Sequence, residues 1–189
     1  MLILASASPR RRELLELITT EFTVITSDVD ETLPPGTHPR KTVEELALRK
    51  AKAVARSHPE DTIIGADTVV VLEDAILGKP QDSRDARRML KQLSGRQHLV
   101  YTGVAVLSPK EAQVFSEETQ VCFLPLTDRQ IDMYIETGEP FDKAGAYGIQ
   151  GRGALFITGI QGDYYNVMGL PICKLAIALF PEQGNGNNL

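Results

Sequence analysis

The sequence predicts a mixed α/β fold, an elongated sheet flanked by helices. Three observations predict it. In the first half of the chain, short apolar runs of strand length alternate with stretches whose apolar residues recur at helical spacing. In the second half, two long β-rich runs, 98–107 and 113–124, stand either side of "SPKEA", the pattern of an antiparallel pair. With 189 residues, 42% apolar and 24% charged, the chain can bury a core without disulfides or metals.

Leu2, Ile3 and Leu4 open the chain as a short buried strand. Ser8 is a good N-cap and Pro9 suits the first helical position, with Leu14, Leu15, Leu17 and Ile18 as the stripe that follows. "FTVIT" (22–26) reads as a strand, and 27–40, rich in Pro, Gly and carboxylates, as a loop. Thr42 and Glu45 have capping-box spacing, so a helix is expected over 43–57 with Val43, Leu46, Ala47, Ala51 and Val54 inward. The run 62–72 is a strongly apolar strand, and Glu73-Asp74 a turn. Ser83 opens a helix carrying Ala86, Met89, Leu90 and Leu93, which Gly95 stops. Thr127 and Gln130 make a second capping box, with Ile131, Tyr134 and Ile135 inside and Gly138 at the end. A glycine-dense connection, 144–154, leads to strands expected near 154–160 and 164–168. A last helix, "PICKLAIALF", closes a single domain over 1–181, and 182–189 reads as a flexible tail.

Composition excludes several function classes. No apolar run approaches a membrane span, and the N-terminus lacks a basic region followed by an apolar stretch, so the cytoplasm is expected. Cys122 and Cys173 are single, and His38, His58 and His98 are scattered. That argues against a disulfide or zinc site and leaves a carboxylate-held Mg²⁺ or Mn²⁺. A net charge of −5 disfavours bulk attraction to nucleic acid. Any anion must be met by a local basic cluster.

One such cluster is "SASPRRR". Arg10, Arg11 and Arg12 fall in the first turn of a helix, where the dipole disfavours each cation by roughly 0.3–1 kcal/mol. Three in succession point to an anion site, with Ser6 and Ser8 adding hydroxyls. In "GADT", Asp67 interrupts an apolar strand, so it needs donors or a metal if buried. Gly65 and Thr68 flank it with small and hydroxylated side chains that leave room for a ligand. Such a carboxylate can hold Mg²⁺ or take a proton from water. Lys79 in "LGKP" stands in a fixed turn, but Pro80 in the hydroxyl position rules out a Walker A lysine. Lys50 and Lys52 face differently on one helix, so one is a site candidate and the other a surface charge. Glu31 of "DVDET" is the best loop carboxylate for a metal. The same stretch supports a rival reading, an aspartyl-phosphate phosphatase with Asp28 as nucleophile, although only one late carboxylate is present in "GDYYNV". In "AYGIQGRGA", Gln150 offers a donor and an acceptor to a nucleobase edge, and the glycines would let backbone approach it.

Taken together, "LASASPRR", "DVDE", "KA", "GADTVV", "GKP" and "DKAGAYGIQGRGA" resemble the Maf family of nucleotide pyrophosphatases, in order from residue 2 to about residue 180. The resemblance implies an inosine triphosphate pyrophosphatase-like fold with two lobes around a cleft. It implies conversion of a nucleoside triphosphate to its monophosphate and pyrophosphate with a divalent cation, Mg²⁺ or Mn²⁺. Ser6, Arg10, Arg11, Lys50 and Lys79 match polyphosphate-binding positions, Glu31 a supporting acidic one, and Asp67 the catalytic base. Asp67 and Glu31 are the candidate metal ligands. Arg11, Thr68 and Gln150 match the specificity positions of the branch acting on dTTP and UTP. The family is also linked to septum inhibition, and a homodimer is expected by analogy. A non-catalytic nucleotide sensor of cell division is the remaining alternative. Arg12 has no assigned role.

Overall fold

Residues 1–181 are described by the computed structural model, and the expected tail, 182–189, lies outside the described residues. β1 (Leu2–Ala5) leads into α1 (Pro9–Glu16) through Ser8, whose side chain accepts from the Arg11 amide, as the Ser-Pro pair predicts. β2 is shorter than "FTVIT" suggests. Only Thr23–Val24 pairs with β1, in parallel, and both residues are exposed. α2 (Pro39–Ala55) begins earlier than expected. Pro39 takes the first turn, where its fixed φ and missing N–H cost nothing, and His38 Nδ1 accepts from the Arg40 amide at 3.2 Å. Thr42 therefore sits buried inside the helix and caps nothing, while the stripe from Val43 to Val54 is buried as its spacing requires.

β3 (Thr62–Leu72) pairs in parallel with β1 and, across a turn in which Glu73 has φ 55°, in antiparallel with β4 (Ala75–Leu77). α3 (Ser83–Leu93) opens at Ser83 as expected and is capped by Asp82, whose carboxylate accepts from Asp85 N at 2.8 Å. β5 (Gln97–Leu107) and β6 (Ala112–Phe123) are neighbours across 108–111, a connection far too short for a parallel crossover. α4 (Asp128–Glu136) carries the capping box read from Thr127 and Gln130. Three short 3-10 turns, Glu139–Asp142, Ala144–Ala146 and Gly151–Phe156, precede β7 (Ile157–Gln161), which pairs in antiparallel with β6.

The strand expected at 164–168 is instead a helix, α5 (Tyr164–Met168). Asp163 accepts from Tyr165 N at 2.8 Å, and that local bond starts a helical turn against the β preference of "YYNV". α6 (Ile172–Leu179) completes the described chain. Among the described residues seven strands form one sheet in the order β2-β1-β3-β5-β6-β7, with β4 on β3.

By packing, the chain divides into two units whose boundaries fall inside β3, β5 and β6 and at the end of α5. Unit 1 holds 1–67, 102–117 and the chain from Gly169, and unit 2 holds 68–101 and 118–168. The core of unit 1 joins Ile3, Ala5 and Ile63 to Ala47, Ala51 and Val54 of α2. Its close fit comes from glycine. A Cβ on Gly65 would stand 2.2 Å from Ala47 O, and one on Gly103 2.3 Å from Val43 O. Helix α2 thus rests directly on strand backbone.

The core of unit 2 gathers α3, α4 and the aromatic group Phe123, Tyr134, Tyr147 and Phe156. Inside it lies His98, 2% exposed, with Nε2 2.7 Å from Tyr147 Oη and no partner for Nδ1 among the described residues. Burial lowers its pKa to about 4. Because that is below the value of about 6.5 in an unfolded chain, the unfolded state binds the proton first as pH falls. The His98 contribution to stability is complete above about pH 6.5 and lost towards pH 4, about 3 kcal/mol in all. Urea unfolding at pH 7 and pH 4 should show this component in the parent chain and its absence in His98→Gln; equal pH dependence of the two would contradict it.

Candidate active site

The expected residues are divided between the two units. In unit 1 the strand-to-helix junction β1–α1 places Ser6 and Arg11 side by side. Arg11 Nη1 donates to Ser6 Oγ at 3.3 Å and to Ala66 O at 2.9 Å, and its Nε donates to Gly169 O at 2.8 Å. Ser6 Oγ also accepts from Ser8 N at 3.3 Å. Arg11 is therefore a brace to the middle of β3 and to Gly169 as well as a cation. Burial pulls its guanidinium below the ordinary arginine value, against the pull of Asp67. Arg10 lowers it further and Glu31 raises it, so all four charges share one field. Arg12 turns the other way and pairs with Glu16 at 3.1 Å on the exposed face of α1, an ordinary helix-surface bridge.

Lys50 and Asp67 meet because α2 sits so close to β3. The ammonium donates to Asp67 Oδ1 at 2.5 Å and lies 2.8 Å from Glu31 Oε1. The Lys50 and Asp67 side chains are only 15% and 13% exposed, whereas Glu31 reaches in from an exposed loop. Sequence reasoning missed what holds that loop. Arg49 Nη1 donates to the carbonyls of Asp30 and Thr32, each at 2.9 Å, and its Nε to Glu45 at 2.9 Å. The bonds straddle Glu31, so the residue preceding Lys50 fixes the carboxylate that Lys50 meets. No spacing rule marks such a contact, because it joins a side chain to loop carbonyls.

Two carboxylates converging on one ammonium form a donor pair suited to a hard divalent cation. Among the described residues no group of three or more His, Cys, Asp or Glu could hold a metal. Asp67 and Glu31, both within ion-pair distance of Lys50, are the two carboxylates that meet here among the described residues, and a pair of this kind would suit an ion that keeps waters and takes its other oxygens from phosphates. Asp28, the nucleophile of the rival reading, is exposed in the coil after β2.

In unit 2, Thr68 continues β3 directly from Asp67 and is half-buried. Lys79 is exposed in the turn after β4. Gly78 of that turn accepts from Gly145 N at 3.0 Å, tying it to the segment that ends in Gln150. Gly145, at φ 70°, also approaches β3, since its Cβ would stand 2.9 Å from Val70 Cγ2. Gln150 is half-buried and precedes the 3-10 turn Gly151–Phe156, with no capping bond from its side chain.

The glycines correct the reading of both motifs. Gly65 leaves room for α2 and not for a ligand. Around Gln150, a Cβ on Gly148 would meet Lys143 Cε at 2.7 Å, one on Gly151 would meet Glu139 Oε2 at 2.8 Å, and one on Gly153 would meet Gly148 O at 2.3 Å. At these three glycines protein atoms fill the direction that a Cβ would take.

A family model described as Maf-like protein matches residues 1–180. The chain belongs to the Maf family. Its relatives include a protein of Bacillus cytotoxicus named dTTP/UTP pyrophosphatase, 54% identical over 173 residues, 92% of this chain and 91% of the relative. A protein of Geobacillus sp. (strain WCH70) with the same name is 55% identical over 173 residues, covering 92% and 93%. Among solved structures, a HAM1 protein from Coxiella burnetii is similar over 95% of this chain and 98% of its own, at TM-score 0.54 and 13% identity. That likeness concerns the fold, the mixed sheet with flanking helices, and the Maf chain shares it.

Proposed function

We propose that this Maf-family chain is a nucleoside triphosphate diphosphatase that hydrolyses dTTP and UTP, and modified pyrimidine triphosphates of similar shape, to the monophosphate and pyrophosphate. The feature that supports this most is Asp67, a largely buried carboxylate fixed by Lys50 at 2.5 Å in the electrostatic field of Arg11, Arg10 and Glu31. The names of the relatives supply the nucleotide class. Residues 1–181 are read as one catalytic domain, working in the cytoplasm as a homodimer. Among the described residues no helix is long and apolar enough to cross a membrane. The septum-inhibition role rests on the family resemblance alone.

A triphosphate brings about three to four negative charges, and cleavage at the α-phosphorus moves charge onto the pyrophosphate leaving group. Ser6, Arg10, Arg11, Lys50 and Lys79 hold the polyphosphate in this reading, aided by the open N–H groups at the start of α1. That ligand reverses the sign of the arginine penalty at the helix end. A water oxygen attacks the α-phosphorus, its proton passes to Asp67, and the bond to the bridging oxygen breaks with the electron pair leaving on pyrophosphate. Asp67 and Glu31 would hold a divalent cation, Mg²⁺ or Mn²⁺, which supplies charge neutralisation at the phosphates. Arg11, Thr68 and Gln150 choose the base. Thr68 and Gln150 offer hydrogen bonds to a uracil or thymine edge.

The test is a panel of natural and modified triphosphates assayed for product with each cation. Pyrophosphate from dTTP and UTP is expected. Orthophosphate in its place would support a phosphatase using Asp28, and binding without consumption a nucleotide sensor.

A further inference from the structure

The surroundings of Gln150 in unit 2 hold a polar network that the reaction does not use. Glu139, at the end of the loop after α4, turns its carboxylate onto the segment that follows Gln150. Oε2 accepts from Arg152 N at 3.0 Å, and Oε1 accepts from Gly153 N at 3.2 Å. Oε1 also accepts from Tyr134 Oη at 2.9 Å. Tyr134 Oη in turn accepts from Gly148 N at 3.1 Å, on the other side of Gln150. Two side chains, themselves hydrogen-bonded, thus hold three backbone amides that bracket one residue.

Everything local to this network agrees with a clamp. Tyr134 is 3% exposed, and burial first, with Glu139 adding to it, pushes its hydroxyl well above the ordinary tyrosine range. The phenol stays neutral and donates. The start of a 3-10 turn presents open N–H groups, and a carboxylate bonded there is held by charge-assisted bonds. Gly151 and Gly153 leave the space the two side chains need, and Gly148 leaves room for Lys143. A Cβ on Gly153 would stand 2.8 Å from Tyr134 Oη as well as 2.3 Å from Gly148 O. Lys143 Nζ donates to Glu139 O at 2.7 Å and pins the residue's backbone.

We propose that Tyr134 and Glu139 are positioning residues for Gln150, holding its backbone from both sides so that its amide meets the nucleobase edge at a fixed reach. This rests on the assignment of Gln150 to base selection given above. A glutamine amide discriminates between uracil and cytosine only if its donor and acceptor are presented in one arrangement. Rotation of the amide can exchange the two groups with the backbone still, so what the clamp fixes is reach, and a backbone free to shift would carry the amide out of range of the edge it pairs with best. Ordering Gln150 in advance moves that entropic cost from the binding step to folding.

Two variants attack the clamp separately. Tyr134→Phe removes one oxygen and with it the bonds to Glu139 and Gly148. Glu139→Gln keeps the shape but replaces one acceptor oxygen by a donor. Two readouts are needed. In hydrogen exchange, the amides of Gly148, Arg152 and Gly153 should exchange faster in the variants while those of α3 and β5 keep their protection. In turnover of UTP and CTP, each variant should raise KM for UTP about tenfold with kcat within about twofold, and the preference for UTP should fall towards that of Gln150→Ala. Added to Gln150→Ala, neither should change KM by more than about twofold. Unchanged exchange at the three amides overturns the clamp. Losses that multiply in the Gln150→Ala background, or a fall in kcat with the UTP/CTP ratio intact, overturn the positioning role. If the parent chain releases no pyrophosphate from UTP or dTTP, the enzymatic reading fails and takes this role with it, a result separable from the others because the parent alone shows it.

Discussion

Asp67→Asn is expected to lower turnover of dTTP and UTP by about 10³-fold while nucleotide affinity changes by less than about tenfold. The asymmetry follows from where charge is needed. In the proposed reading polyphosphate affinity comes from Ser6, Arg10, Arg11, Lys50 and Lys79, whose donors and charges the substitution leaves in place, although Lys50 loses its 2.5 Å carboxylate partner. Proton transfer from water needs a base, and an amide has no site for that proton. Removing a carboxylate beside a triphosphate relieves repulsion, so affinity has no reason to collapse. The alternative cause of lost activity is unfolding, because Lys50, at 15% exposure, would be left with Glu31 as its carboxylate partner. Leaving one member of a partly buried pair behind costs about 1–3 kcal/mol, which a domain of this size tolerates. A melting curve measured beside the kinetics separates the two. Near-normal turnover in a folded Asp67→Asn would remove Asp67 from the chemistry. Asp28→Asn, in contrast, should leave the rate within about twofold; a comparable loss there would return the aspartyl-phosphate reading.

How far such a site can be read before the fold is seen depends on what fixes each residue. Ser8-Pro9, the Thr127–Gln130 box and the 62–72 strand follow local rules, and the structure contains each of them. Arg10 and Arg11 were legible because a helix N-terminus makes a cation conspicuous, and Asp67 because an apolar strand makes a carboxylate conspicuous. The pairing of Lys50 with Asp67 was not. It depends on the distance between α2 and β3, set by a glycine whose value lies in what stands across from it. Arg49 and Glu139 escaped for a related reason. Both bind backbone groups remote in the fold or the loop, and a side chain that binds backbone leaves no partner residue type in the sequence to search for. The misread segments were those where one local bond decides between two patterns. His38 with Pro39 moved the start of α2 ahead of Thr42, and Asp163 turned "YYNV" from strand to helix.

Gly65→Ala is the second large effect, and it tests the distance on which the unit 1 cluster depends. An added Cβ would lie 2.2 Å from Ala47 O, 2.8 Å from Ala51 N and 3.0 Å from Ala51 Cβ. Two of these are backbone atoms of a 17-residue helix, so no side-chain rotation relieves them. Either α2 moves outward or β3 bends. Overpacking of this kind costs about 3 kcal/mol, which for a chain of this length lowers Tm by roughly 6–12 °C. The functional consequence goes further than the stability loss. An outward shift of α2 carries Lys50, one residue before Ala51, away from Asp67, and a contact of 2.5 Å does not survive even an ångström of displacement. Below its own lowered Tm, the variant should therefore show turnover reduced by about tenfold or more with its far-UV spectrum intact. Gly103→Ala provides the comparison. Its Cβ would press on Val43 O at 2.3 Å, at the first half of α2 and away from Lys50, so it should lose stability to a similar degree and activity to a lesser one. If Gly65→Ala melts within about 2 °C of the parent, helix and strand have slack between them. The Lys50–Asp67 contact is then set by the two side chains rather than by the backbone beneath them.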